Sequence, residues 1–141
     1  MKVFLDASAI IALSIENDTN HQKAVSAWQK LIAKKVAFFT SDYVLDESFT
    51  RIRKIGGLEK IFKLYQSLKD METTKKLTIL WMDKEVFLRS FQIFADKSMP
   101  KTFSFTDATI AAQMKTHKLD LLFTFDRDFK SLKKTRLKVV P

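Results

Sequence analysis

Val3-Phe4-Leu5-Asp6-Ala7-Ser8-Ala9-Ile10-Ile11 decides the fold class of this 141-residue chain. A short apolar run from Val3 to Leu5 ends on an aspartate, and Ala7 to Ile15 then reads as helix. A strand passing straight into a helix is the opening unit of an α/β protein. The alternation continues downstream. A second helix is expected from Asn20 to Lys35, with Asn20 as its cap and Ala24, Trp28, Leu31 and Ile32 on one face, and a strand at Val36 to Phe39 follows. Ser41 can cap a third helix to about Ile55, where Gly56-Gly57 stops it, and Leu58 to Met71 restarts with Ile61, Phe62, Leu64, Tyr65 and Leu68. Leu77 to Trp81 supplies a third strand. Glu85 to Lys97 is a helix with Phe87, Leu88, Phe91 and Phe94 as its apolar stripe, and Ser98 to Phe103 is irregular around Pro100. Thr106 to Thr116 is helical again, Leu121 to Phe125 is a buried-type strand, and Leu137 to Val140 is a last short one. Short apolar strands alternating with helices predict a parallel sheet covered on both faces. No repeat or linker divides the sequence, so residues 1–141 are read as a single domain.

Composition narrows the chemistry. With 46% hydrophobic residues, 13 Phe and only 2 Gly and 2 Pro, the chain lacks the bias of disordered sequences and is expected to fold compactly. It has no cysteine, which excludes disulfides, thiolate zinc sites and thiol catalysis. Any metal must rest on oxygen ligands or on His21 and His117, and both histidines read as surface or helix-end residues. The net charge of +9 suits a partner with a phosphate backbone, although the basic residues are scattered, with local density at Lys130 to Lys138. Lys2, the apolar run and Ala7-Ser8-Ala9 outline a signal peptide, but Asp6 interrupts it, and no stretch approaches the roughly 18 uncharged residues of a membrane span. A cytoplasmic protein without a membrane partner is expected.

In open α/β sheets the functional crevice lies beyond the carboxyl ends of the strands, and two of the expected strands run into Asp6 and Asp126. Each of these taken alone is equally a helix cap. Asp107 heads the apolar series Ile110, Ala111 and Met114, where an unpaired carboxylate costs several kcal/mol and wants a cation, donors or a helix end. Ser104 and Asp107 also have capping-box spacing, and the two roles are compatible. On the third helix Asp46 and Glu47 flank the stripe of Leu45, Phe49 and Ile52 at similar angles, so periodicity favours neither. Carboxylates converging from separate elements suit a hard divalent cation such as Mg²⁺, and one or two such ions supply an activated water and charge neutralisation for phosphodiester cleavage.

Four local motifs then stand in order: Val3-Phe4-Leu5-Asp6-Ala7-Ser8-Ala9, Asp42-Tyr43-Val44-Leu45-Asp46-Glu47-Ser48, Phe105-Thr106-Asp107-Ala108, and Thr124-Phe125-Asp126-Arg127-Asp128-Phe129. Together they resemble the PIN-domain nucleases, in particular the VapC-like toxins of toxin–antitoxin pairs, over nearly the whole chain. The resemblance implies a three-layer α/β/α fold with Asp6, Glu47 and Asp107 as core acidic ligands, Asp126 completing the site, and Ser8 or Thr124 supporting it. It implies Glu47 rather than Asp46. It also implies Mg²⁺ or Mn²⁺ dependence, RNA cleavage, a homodimer and a cognate antitoxin. Asp128 is read as an outer acid or a helix cap. A free-standing PIN nuclease of RNA processing would use the same site. Two rivals differ in chemistry. A haloacid-dehalogenase-type phosphatase would use Asp6 as a nucleophile, but its usual second aspartate falls on Ser8. A silent RNA-binding module would have no evident use for the acidic set.

Overall fold

The computed structural model describes residues 1–131 and 138–141. Its elements run β1 (Lys2–Leu5), α1 (Ala7–Ser14), α2 (His21–Ala33), β2 (Ala37–Ser41), α3 (Asp42–Thr73), β3 (Leu77–Leu80), α4 (Lys84–Phe94), α5 (Phe105–Thr116), β4 (Leu121–Phe123), α6 (Arg127–Ser131) and β5 (Lys138–Val140). The strands form one sheet in the order β3-β2-β1-β4-β5, and every neighbouring pair is parallel. Parallel strands need crossovers, and the helices that supply them leave β1, β2 and β4 with little solvent contact. Val3, Phe4, Phe38, Leu122 and Phe123 are essentially inaccessible. Trp28 of α2 stacks on Phe38 with ring centroids 4.4 Å apart, which anchors that helix to the sheet.

Most expected elements are present, and the departures have local causes. Asn20 stands at the N-cap of α2 but its side chain makes no capping bond, and its own amide is instead held by Asp18 at 2.7 Å. Strand β4 ends at Phe123, two residues earlier than expected, because the amides of Phe125 and Asp126 bond to side chains rather than to a neighbouring strand. Helix α6 has no counterpart among the expected elements; Arg127–Ser131 is a single short turn, too short for a periodic signal. Of the expected strand Leu137 to Val140, Leu137 lies outside the described residues, as do residues 132–137 of the expected basic cluster.

The largest correction concerns α4. Phe87, Leu88, Phe91 and Phe94 do not pack inward; all four are exposed, Phe91 at 56%. The buried ridge of α4 is Val86 and Ser90, offset from the aromatic stripe by one position, or about 100°. Ser90 can be buried because its hydroxyl donates to the Val86 carbonyl at 2.7 Å, and its small size lets α5 approach. Periodicity reveals that a stripe exists, not which side of the helix meets the core.

The expected interruption at Gly56-Gly57 is present as a break within α3 at Gly57, with φ 70° and ψ −169°. This backbone region is open essentially to glycine alone. A Cβ built on Gly57 would meet nothing within 4 Å, so any cost of substitution is conformational rather than steric. Gly57→Ala is therefore expected to lower stability by about 1–3 kcal/mol in denaturant melts without loss of any side-chain contact.

Candidate active site

Strand β1 lies at the centre of the sheet, with β2 on one side and β4 on the other. The chain builds outward from β1 through β2 to β3, then returns to β1's other edge with β4, so the order of strand addition reverses between β1 and β4 while all strands stay parallel. That is where α/β sheets open a crevice beyond their carboxyl ends. Asp6 follows β1 and Asp126 follows β4, one on each side of it.

Asp6 is buried and held by three hydrogen bonds. Its Oδ1 accepts from the Ala7 amide at 2.7 Å, and its Oδ2 accepts from the hydroxyls of Ser8 at 2.7 Å and Thr124 at 2.6 Å. The same hydroxyls also accept: Phe125 N–H donates across the crevice to Ser8 Oγ at 2.9 Å, and Asp126 N–H donates locally to Thr124 Oγ1 at 3.0 Å. A backbone bond from Asp6 N–H to the Phe123 carbonyl, 3.1 Å, closes the connection. Ser8 and Thr124 therefore orient the Asp6 carboxylate and tie the ends of β1 and β4 together.

The capping reading of Asp107 holds. Its Oδ2 accepts from Ser104 N–H at 2.8 Å while its own amide donates to Ser104 Oγ at 3.0 Å, a complete capping box, and the side chain is buried. Burial pushes its carboxyl up to about 6, against the two Ser104 bonds that lower it, and the charges of Asp6 and Asp126 push in the same upward direction. Asp126 also caps a helix start, accepting from Asp128 N–H at 2.8 Å. Asp6 is the N-cap of α1. Three of the four acids thus sit at helix N-termini, where the helix dipole favours negative charge.

Glu47 comes from the body of α3. Partial burial raises its carboxyl, as do the charges of Asp6 and Asp126, whereas Arg51 lowers it. Burial likewise raises Asp6 against its three hydrogen bonds, with Asp126 adding repulsion. Glu47 therefore feels the same acids as Asp107 does, and its neighbour Asp46 is solvent-exposed. Asp128 is turned to the Thr102 hydroxyl, which donates to it at 2.6 Å. His21 Nδ1 lies 2.7 Å from the Ala12 carbonyl, and His117 is the C-cap of α5, so both stand at helix ends.

Two features escaped the sequence reading. Arg51 lies one turn beyond Glu47, with Nη1 3.5 Å from Oε1, a pairing signalled by i,i+4 spacing on a helix. Beside the acids, Phe105 packs against Tyr43 at 6.2 Å, Phe87 at 5.3 Å and Phe94 at 5.7 Å between centroids; these contacts join separate helices and leave no local signal.

Among the described residues no three acids or histidines are close enough to form a ready-made metal cluster. The donor chemistry nevertheless fits a hard cation. The set is all carboxylate, three of its members carry raised pKa values through burial and mutual repulsion, and Mg²⁺ needs only one or two direct carboxylates with water completing its shell.

The fold is that of an α/β protein with a five-stranded parallel sheet, and Asp6 and Asp126 stand beyond the strands that meet at its switch point. The chain belongs to the PIN domain family, whose model matches residues 3–135. No protein of curated function matches it. Among solved structures it is similar to VapC20 of Mycobacterium tuberculosis, described as a toxin cleaving the sarcin–ricin loop, at 21% identity and TM-score 0.76 over 93% of this chain and 95% of that one. It is similar also to VapBC2 of Rickettsia felis bound to a promoter DNA fragment, at 16% identity and TM-score 0.72 over 100% of both chains. FitAcB of Neisseria gonorrhoeae matches at 21% identity and TM-score 0.68 over 99% of this chain and 96% of that one. At these identities the likeness establishes the fold, the α/β architecture expected from the sequence.

The raised carboxyls give a signed pH dependence. A group whose folded pKa exceeds its unfolded value contributes stability at low pH that is lost as pH rises through the folded value. Asp107→Asn keeps a capping acceptor but cannot ionise. In EDTA its melting temperature is expected to gain on that of wild type as pH rises from about 4 to 7, through the Asp107 value of about 6. Parallel melting curves would contradict this.

Proposed function

We propose that this chain is a metal-dependent endoribonuclease and the toxin of a toxin–antitoxin pair, with residues 1–141 acting as one nuclease domain in the cytoplasm. The observation that carries the reading is that Asp6 and Asp126, on the two sides of the sheet's reversal point, lie within electrostatic reach of both Glu47 and Asp107, in a chain whose net charge is +9. Clustered acids on a basic protein suit a polyanionic substrate cut at a cation site.

In this mechanism Asp6, Glu47, Asp107 and Asp126 would hold Mg²⁺ or Mn²⁺. When bound, the ion supplies activation of a water and neutralisation of phosphate charge. The water adds to phosphorus and one P–O ester bond breaks, leaving a phosphate monoester on one fragment and a hydroxyl on the other. Ser8 and Thr124 keep the Asp6 carboxylate from rotating, since both of its oxygens are committed to donors. Asp107 is fixed by its capping box, and Asp128, bonded to Thr102, supports the turn that carries Asp126. No side chain serves as a nucleophile. That separates this reading from the phosphatase, in which Asp6 would have to leave its hydrogen bonds to attack phosphate.

The toxin assignment is supported by the solved neighbour VapC20, which is described as a toxin. Two apolar surfaces support the partners. The exposed face of α4, with Phe87, Leu88, Phe91 and Phe94, suits a second copy of the chain. A groove of about 370 Å³ between α1, α2 and the second half of α3, floored by Leu13, Trp28, Leu64 and Met71 and edged by Lys60 and Lys63, suits the antitoxin. A small DNA-binding protein encoded just upstream would favour the toxin over a free-standing nuclease.

Purified protein incubated with RNA, DNA and a phosphomonoester is expected to cut RNA with Mg²⁺ or Mn²⁺ and not with EDTA. Asp6→Asn should lower the rate by roughly 10²-fold or more. Phosphomonoester turnover without RNA cutting would favour the phosphatase, and RNA binding without cutting the silent module. In sedimentation, Phe91→Glu is expected to convert a dimer to a monomer; a wild-type monomer would reject the homodimer.

A further inference from the structure

Every strand of the sheet begins at a lysine or within three residues of one: Lys2 for β1, Lys35 for β2, Lys75 and Lys76 for β3, Lys118 for β4 and Lys138 for β5, all exposed. Because the strands are parallel, these starts lie side by side on one face of the molecule. Main-chain bonds mark the adjacency: Phe38 N–H donates to the Lys76 carbonyl at 2.9 Å, Ala37 N–H to the Met1 carbonyl at 3.1 Å and Asp120 N–H to the Lys2 carbonyl at 2.9 Å. With neighbouring strands about 4.8 Å apart, the row of starts is about 19 Å wide. The opposite face has the opposite sign, since Asp6, Asp42, Asp83 and Asp126 follow the carboxyl ends of β1, β2, β3 and β4 within three residues.

Three of these lysines hold a conformation that favours another residue. Lys35, Lys75 and Lys118 have φ of 51°, 56° and 50°, and among the described residues they are all the non-glycine positions with positive φ. Each stands one residue past the C-cap of a helix, α2, α3 and α5 in turn. That left-handed position is ordinarily taken by glycine, because a Cβ makes it unfavourable. The helix dipole does not account for the choice. Three helix ends present about −1.5 elementary charges together, and α2 already ends on Lys30 and Lys34 and α5 on Lys115. Against the lysines stand Glu72 in the last turn of α3 and Asp120, whose carboxylate accepts from the Lys2 main-chain N–H at 2.7 Å. Among the described residues none of the six strand-start lysines is in an ion pair.

Exposed ammonium groups on flexible stems, spread over one face, suit a phosphate backbone. Among the described residues only Met1 and Ile32, of the exposed large apolar side chains, lie within three residues of these lysines, too few to seat an amphipathic helix or to enter a lipid surface. We propose that the face at the amino ends of the strands is a second RNA-binding surface, which holds the backbone of a long RNA at the end of the molecule opposite the acids. The four residues of β1 put about 13 Å of sheet between the two ends. A short fragment lying at the acids does not reach the lysines, and an RNA that passes round the edge of the domain engages both. The face thus favours long substrates over short ones. The inference goes beyond the nuclease reading by adding a surface remote from the crevice, and it rests on that reading only in taking RNA as the polyanion.

Binding is measured in EDTA, without turnover, by fluorescence anisotropy with labelled RNAs of about 40 and about 5 nucleotides over a range of KCl concentrations. The informative variant is the triple Lys35→Gly, Lys75→Gly, Lys118→Gly, because glycine suits the positive φ at each position and its melting temperature should equal or exceed that of wild type. Its affinity for the long RNA is expected to fall about tenfold or more near physiological salt, with the slope of log affinity against log salt reduced by about 2 and binding of the short RNA unchanged. The Asn triple at the same positions, also suited to this conformation, should behave alike. Lys54→Gln, Lys84→Gln, Lys101→Gln removes the same charge from exposed lysines that precede no strand and should lose about threefold at most. Equal losses from the lysine-to-glycine and lysine-to-glutamine triples, an unchanged salt slope in the former, or tighter binding of wild type to phosphatidylserine vesicles than to RNA would overturn the proposal. If wild type cuts RNA with Mg²⁺ or Mn²⁺ and the glycine triple binds long RNA equally well, the face is rejected and the nuclease stands. Long-RNA binding that depends on the three lysines, in a protein that does not cut, would leave the face standing and reject the nuclease.

Discussion

The Asp6 carboxylate is the joint on which the rest of the structure depends. It ends the central strand, caps the first helix, and receives hydroxyl protons from Ser8 on its own side and Thr124 on the other side of the sheet's reversal point. Those hydroxyls in turn accept the amides of Phe125 and Asp126. A parallel sheet has no hydrogen bond of its own beyond the last ladder pair, so a crevice opens there unless side chains span it. Here the spanning atoms are also those that aim the site. Loss of the carboxylate would remove a cap, a clasp and an oxygen donor at once.

The acids of the site share this double duty. Asp6 and Asp126 cap the helices that follow them, and Asp107 closes a capping box. Helix starts hold carboxylates favourably, which offsets part of the repulsion that Asp6 and Asp126 exert on Glu47 and Asp107. Burial, with repulsion among the acids adding to it, nevertheless keeps the carboxyls of Asp6, Glu47 and Asp107 raised. Glu47 lacks a helix terminus and has Arg51 instead. The four acids are thus placed where the fold can tolerate them as anions, with some repulsion left among them.

What could be read from sequence follows from the range of each signal. Apolar runs into Asp6 and Asp126 and the Ser104–Asp107 spacing are local, and the strands, the caps and three of the acids were legible from them. Glu47 against Asp46 could not be separated by periodicity, because both flank the buried stripe; the separation needs the crevice, whose charges reach Glu47 while Asp46 faces solvent. The aromatic stripe of α4 misled for a related reason. Burial depends on what a helix meets, and α5 meets the side carrying Ser90. The Phe105 cluster and the β1–β4 clasp join residues distant in sequence, with Ser8 and Phe125 separated by 117 positions.

Gly57 has a consequence for how the molecule can change over generations. Unbroken, the segment Asp42–Thr73 would be a rod of about 48 Å, longer than a globule of this size is wide. The turn at Gly57 divides it into a portion carrying Tyr43, Glu47 and Arg51 and a portion carrying Phe62, Leu64 and Tyr65. Substitutions on the surface of the second portion need not disturb the register of the first, because the break at Gly57 uncouples the two helical axes.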